Sequence, residues 1–241
     1  LRSLTVFRET IKPRAVNILF SQFVQQFIGL QSTNLRGSTI SRIYRPAFRK
    51  FQSVCGDKLL ASYTLRDVET FKSGRLKSCA PTTVNIEFRA LRAAFNRAVK
   101  WQCLRDNPFL NSSPVKIPER LPVHFTREDF RLFVSKVREP FLKELFLFAA
   151  LTGLRQGEIL NLGWKNVDIE RRLIIVANSD SFLTKSGKCR MVPMNNHVFE
   201  LLCGKALTRG FSERVFHRKG RPLTQSYVEH KFKYYLREAR L

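Results

Sequence analysis

The chain has 241 residues, 44% of them hydrophobic and 12% aromatic, enough to fill a core, which excludes a mainly disordered basic tail. It carries 43 Lys and Arg against 19 Asp and Glu, a formal net charge of +24, far more than solubility alone calls for. No apolar run approaches the ~20 residues a membrane helix needs, the best being 145–151, and no signal peptide is visible.

The charge is spread along the chain. Residues 1–120 hold 21 basic and 7 acidic residues, and residues 121–241 hold 22 and 12. Such a field attracts polyanions, and it points to nucleic acid ahead of a membrane surface or an anionic protein. The five cysteines, Cys55, Cys79, Cys103, Cys189 and Cys203, are odd in number and form no CxxC pair. They read as reduced thiols of a cytoplasmic protein rather than a disulfide framework or a zinc site. His124, His197, His217 and His230 are scattered, and no metal site is expected. The chain opens on Leu1 rather than Met, so a missing N-terminal part is expected.

In chain order, residues 14–29 carry Val16, Leu19, Phe20, Phe23, Val24 and Phe27 at helical spacing and end at Gly29. Ser38 or Thr39 is expected to cap a second helix bearing Ile43, Phe48, Phe51 and Val54, stopped by Gly56. A short helix over 65–71 has Thr64 as its cap and Asp67 in its first turn. A long helix over 81–98 has an apolar stripe of Val84, Phe88, Leu91, Ala94, Phe95 and Ala98. Its other face holds Arg89, Arg92 and Arg97, read as DNA-backbone contacts ahead of a merely solvated face. Asn107-Pro108 ends this helical unit. Pro114, Pro118 and Pro122 mark an extended linker.

Beyond the linker, Thr126-Arg127-Glu128-Asp129 resembles a helix start. Residues 140–151 form an apolar, buried helix containing Leu145, Phe146 and Phe148. Gly153 breaks it, and a new helix covers 156–162. Strands are expected at 173–176, 182–184 and 189–194, with Lys185-Ser186-Gly187-Lys188 as a hairpin turn. Asn195 caps a helix through Leu202. Val215-Phe216 reads as a short strand, and Thr224 caps a last helix with Tyr227, Val228, Phe232, Tyr235 and Leu236 on one face. The fold class is therefore mainly α with a small antiparallel β-sheet. Two domains are expected: residues 1–112, all helical, and residues 123–241, mixed α/β, joined by a linker over 113–122.

Two segments carry chemistry. In Thr152-Gly153-Leu154-Arg155-Gln156-Gly157-Glu158-Ile159, Arg155 follows a glycine break at a helix start. Glu158, three residues on, shares its face and can orient the guanidinium without blocking its far edge. In Thr184-Lys185-Ser186-Gly187-Lys188-Cys189-Arg190-Met191-Val192-Pro193, Lys185 sits at a hairpin tip with a long reach outwards. Lys188 and Arg190 read equally as phosphate contacts or as solvated hairpin charges.

These two boxes, in order and with Arg155 and Lys185 thirty positions apart, resemble the first arginine box and the lysine hairpin of the tyrosine recombinases, or phage integrase family. Thr82-Thr83-Val84-Asn85 through Val99, closed by Asn107-Pro108, is similar to the last helix of that family's core-binding domain. The resemblance implies a site-specific recombinase or integrase, its two domains forming a C-shaped clamp on duplex DNA. In such enzymes a tyrosine attacks the scissile phosphate and forms a 3′-phosphotyrosine, and a 5′-hydroxyl leaves. Arg155 would neutralise the non-bridging oxygens, a role suited to a planar, permanently charged donor. Lys185 would protonate the leaving oxygen, and Glu158 would support Arg155. No metal or nucleotide cofactor is implied. The partners implied are duplex DNA and further copies of the chain, a dimer on a site and a tetramer in synapsis if the C-terminal exchange segment is present.

The family continues with an H-x-x-R box, a His or Trp, and the nucleophilic tyrosine. After Lys185 none of these is recognisable. His230-Lys231-Phe232-Lys233 has lysine where arginine belongs, and Tyr227, Tyr234 and Tyr235 sit too early. The expectation is a chain cut short at its C-terminus. Two other readings stay open: a non-catalytic DNA-binding regulator derived from a truncated recombinase, and an unrelated RNA-binding protein.

Overall fold

Phenylalanine spacing builds the first half of the molecule. The structure, a computed structural model, describes residues 17–119, 121, 124–177, 189–208 and 210–241. Its contacts divide the chain into two units, Leu1–Leu121 and Pro122–Leu241.

The first unit comprises α1 (Phe20–Gln31), a single turn α2 (Gly37–Thr39), a π-helical turn (Ile40–Tyr44), α3 (Arg45–Cys55), α4 (Leu65–Leu76) and α5 (Pro81–Lys100). Phe20, Phe23 and Phe27 recur every three or four residues, so α1 buries one face. That face meets Phe48 and Phe51 of α3 and Phe95 of α5, with ring centres 5.3 Å apart for Phe20–Phe51 and 5.8 Å for Phe51–Phe95. Phe109 closes the cluster, 4.9 Å from Phe95. Such tilted pairs each add about 0.5–1.5 kcal/mol beyond their buried area.

Several boundaries differ from expectation. The first helix starts only at Phe20, because Leu19 pairs with Leu59 as an isolated antiparallel bridge and the Leu60 N–H donates to Ile18 O at 2.8 Å. It also runs through Gly29 to Gln31. Val16 lies outside the described residues. The second helical run begins at Gly37, before the expected caps Ser38 and Thr39. Val54 is at the exposed edge of α3, beside Gly74, rather than in the core. It falls some 60° from Phe51 around the helix, on the side away from Phe48. In α4 the Asp67 carboxylate accepts from the Thr64 N–H and hydroxyl, both at 2.9 Å, and the helix extends to Leu76, past the expected end at 71.

The proline-bearing stretch after Asn107 is partly fastened down. Ser112 Oγ donates to Glu69 at 2.6 Å and Lys72 Nζ to Ser113 O at 2.9 Å. The buried Asn85 amide makes two bonds with the Val115 backbone, both 2.8 Å. Residues 112–115 thus lie as a strap along α4 and α5.

The second unit opens with α6 (Arg127–Lys136). Thr126 Oγ1 accepts from the Asp129 N–H and Asp129 returns the bond to the Thr126 N–H, both at 3.0 Å, a reciprocal cap. Then come α7 (Pro140–Thr152), α8 (Gln156–Leu160), a 3-10 turn (Trp164–Asn166), and strands β1 (Val167–Asp168), β2 (Leu173–Val176) and β3 (Arg190–Pro193). The strands form an antiparallel sheet in the order β1-β2-β3, with Val176 opposite Arg190. β1 was not expected; two residues are too few to show alternation. The strand and turn expected at 182–188 lie outside the described residues. α8 ends at Leu160 rather than 162, its last turn closed by Asn161 Nδ2 donating to Gly157 O at 2.8 Å.

α9 (Asn196–Leu207) is capped by Asn195, whose side chain accepts from the Val198 N–H at 2.9 Å. Val215 and Phe216 are buried but form no strand. Before them Arg214 bridges Gly163, and the Val215 N–H donates to Leu162 O at 3.0 Å; a strand starts only at His217, in the β4–β5 hairpin (His217–Arg218, Arg221–Pro222), because the chain turns only at Lys219-Gly220. α10 (Gln225–Glu238), capped by Thr224, buries Val228 and Tyr235 and sets Phe232 5.1 Å from Phe133. Among the described residues no helix is long and apolar enough to cross a membrane, and no group of three or more His, Cys, Asp or Glu could hold a metal.

Candidate phosphate-binding site

The first box folds as an anchor followed by a presented cation. Thr152 ends α7, its hydroxyl donating to Phe148 O at 2.7 Å. Gly153 takes the left-handed conformation, φ +63, which a residue with a β-carbon adopts only at a cost. That reversal sends Leu154 into the core and leaves Arg155 as the residue preceding α8, with 56% of its side chain exposed.

Glu158 lies beneath Arg155, with only 3% of its side chain exposed. One oxygen accepts from the Arg155 N–H at 2.9 Å and the other from Arg155 Nη1 at 3.1 Å. Arg190, reaching over from β3, donates Nη1 at 2.9 Å and Nη2 at 2.6 Å to the same two oxygens. The hydrogen bonds from Arg190 are the largest reason that the Glu158 carboxyl is held down at about 2 from an ordinary 4.5; burial opposes, and the Arg155 bonds add to the lowering. One buried anion therefore faces two cations, leaving the site with a net positive charge. The other Arg155 guanidinium hydrogens meet no acceptor among the described residues. An exposed donor set on a rigid mount is suited to hold the oxygens of a phosphate.

The structure thus brings Arg155, Glu158 and Arg190 together. Arg190, expected as a phosphate or solvent-facing charge, has both terminal nitrogens on Glu158. This partnership was missed because it spans 32 residues and depends on sheet register, for which no local signal exists. Lys185 and Lys188 lie outside the described residues. Arg89, Arg92 and Arg97 belong to the first unit: Arg89 is exposed, with Nε on Asn85 O at 3.1 Å, and Arg92 and Arg97 are half-buried on the flanks of that face. Tyr235 is buried with its hydroxyl donating to Glu139, which Lys231 also pairs. Also missed was the basic run Arg218-Lys219-Gly220-Arg221, whose charge around a glycine turn was a visible signal.

Residues 133–241 match the phage integrase family. The chain is 25% identical over 221 residues to the "defective protein IntQ" of Escherichia coli (strain K12), covering 83% of this chain and 55% of the relative. It is 25% identical over 208 residues to a shufflon-specific DNA recombinase of Escherichia coli, covering 79% and 50%. The chain therefore spans about half the length of these relatives. In fold it is similar to a lambda integrase, seen as a dimer bound to a core site, with a TM-score of 0.78 at 16% identity over 93% of this chain and 65% of that one. The match of residues 133–241 and the recombinase relatives agree with the arginine box that opens α8: this stretch of the chain matches the phage integrase family, the tyrosine recombinases.

Proposed function

We propose that this chain is the DNA-engaging part of a cytoplasmic, site-specific recombinase or integrase that breaks and rejoins duplex DNA through a phosphotyrosine. The observation that carries the reading is Arg155, exposed and held at two points by a buried, ionised Glu158. Arg155 binds the non-bridging oxygens of the scissile phosphate and neutralises the charge that grows there. Lys185 gives a proton to the leaving 5′-oxygen. Arg190 acts through Glu158, and Lys188 with Arg89, Arg92 and Arg97 takes backbone phosphates. The net charge of +24 supplies steering, so affinity falls steeply with salt. Assembly as a dimer on a site and a tetramer in synapsis belongs to the same proposal; structures with this fold include a lambda integrase tetramer on a Holliday junction.

The test is a nicked suicide duplex carrying a candidate site, incubated with the protein. Because no nucleophilic tyrosine is recognisable after Lys185, binding on a native gel without a covalent band on a denaturing gel is the result expected; a band lost on Arg155→Ala or Lys185→Ala would mean that Tyr227, Tyr234 or Tyr235 is the nucleophile. A chain that binds no duplex on the native gel would remove the reading.

A further inference from the structure

The residues His217-Arg218-Lys219-Gly220-Arg221-Pro222 fold as the β4–β5 hairpin, with Arg218 directly opposite Arg221. Its two-residue turn has positive φ at both positions, +49 at Lys219 and +78 at Gly220, and the Gly220 N–H closes on His217 Nδ1 at 3.0 Å. Like charges facing across a ladder destabilise it, and a left-handed lysine adds strain. No carboxylate relieves either: among the described residues no Asp or Glu pairs with Arg218, Lys219 or Arg221. All three are exposed, and they line one hollow of about 600 Å³ whose wall includes Thr224 and Tyr227. The Arg218 guanidinium lies 5.7 Å from the Tyr227 ring centre, which limits how far it can swing.

Thr224, in the wall of the hollow, caps α10, and α10 packs against α8. Gln156 Nε2 makes a long hydrogen bond, 3.4 Å, to Gln225 O. Arg155 immediately precedes Gln156 and Thr224 immediately precedes Gln225, so α8 and α10 begin side by side. We propose that the hollow is a second anion site, taking non-scissile phosphodiester groups of the DNA whose reacting phosphate rests on Arg155. This rests on the DNA reading above and extends it to residues outside both sequence boxes. The hairpin then works as a register stop: it holds the backbone beyond the reacting group while Arg155 holds the group itself.

The experiment measures binding of a ~30-bp duplex of arbitrary sequence by the full chain between 50 and 200 mM salt, by fluorescence anisotropy. The variant is Arg218→Ala with Lys219→Asn and Arg221→Ala, asparagine being chosen to suit the left-handed position. The control removes the same charge from α6, as Arg127→Ala with Arg131→Ala and Lys136→Ala. Each phosphate contact contributes about 0.9 to the slope of log affinity against log salt. The hollow variant should lose about two to three from that slope, Lys219→Gln alone about one, and the α6 control none. Equal slopes for the hollow variant and the wild type, or equal losses in hollow and control variants, would overturn the proposal while leaving DNA binding intact. A wild-type chain that binds no duplex would instead remove the DNA reading and the hollow's role with it.

Discussion

Arg190 grips Glu158 at two points, 2.9 and 2.6 Å, from a strand 32 residues away in sequence. The glutamate is thus held from the sheet as well as from its own helix. Arg155, with more than half its side chain in solvent, sits on a mount whose rigidity comes from elsewhere.

Glu158→Gln should therefore cost stability more than an ordinary surface change. Holding a carboxyl at about 2 rather than 4.5 corresponds to roughly 3 kcal/mol, an upper figure because Arg190 and Arg155 are partly screened. A urea melt at pH 7 should show a lower midpoint by that order, with an unchanged slope.

The same pair sets an acid sensitivity. The folded carboxyl titrates below the unfolded one, so its contribution is fully present above about 4.5 and is lost as pH falls towards about 2. Stability measured from pH 6 to pH 2 should drop through that window, and Glu158→Gln should flatten the drop. An identical acid limb in both proteins would count against the pair.

Arg155→Ala and Arg190→Ala should separate chemistry from scaffold. Loss of the exposed Arg155 pair should change stability by no more than ~1 kcal/mol yet weaken binding of a DNA duplex. Arg190→Ala leaves a buried carboxylate short of its main partner and should cost about 2 kcal/mol. Arg190→Lys, keeping one contact, should restore part of that loss. Thermal melts and duplex-binding titrations on the three variants check this.

Gly153→Ala tests the turn that presents Arg155. An added β-carbon would meet no atom within 4 Å, so the cost is conformational, about 1 kcal/mol from the φ of +63. Binding of a DNA duplex should fall further than stability, since Arg155 lies two residues on.

Asn85→Ala should loosen the strap over α5. Both Val115 backbone groups lose their partners, at about 1–2 kcal/mol. Trypsin should cut after Lys116 sooner than in the wild type, with the fragments identified by mass.

Local periodicity carried most of the fold. The α1 and α3 phenylalanines, the Thr64, Thr126, Asn195 and Thr224 helix starts and the β2 run are all written in neighbouring residues. The Leu19–Leu59 bridge, β1 and the late onset of β4 depend on partners distant in sequence or on pairs too short to leave a pattern. The site divides the same way. Arg155 and Glu158 were legible because three residues span less than one helical turn. The partner of Arg190 was not legible, because only the β2–β3 register, with Val176 opposite Arg190, brings it to Glu158.

The two oxygens of Glu158 receive two donors each, Arg155 N–H and Arg190 Nη2 on one, Arg155 Nη1 and Arg190 Nη1 on the other. A carboxylate offers about four lone-pair directions, so this one is saturated. It has no capacity left to deprotonate a water molecule. A water molecule beside Arg155 consequently finds no general base in this residue.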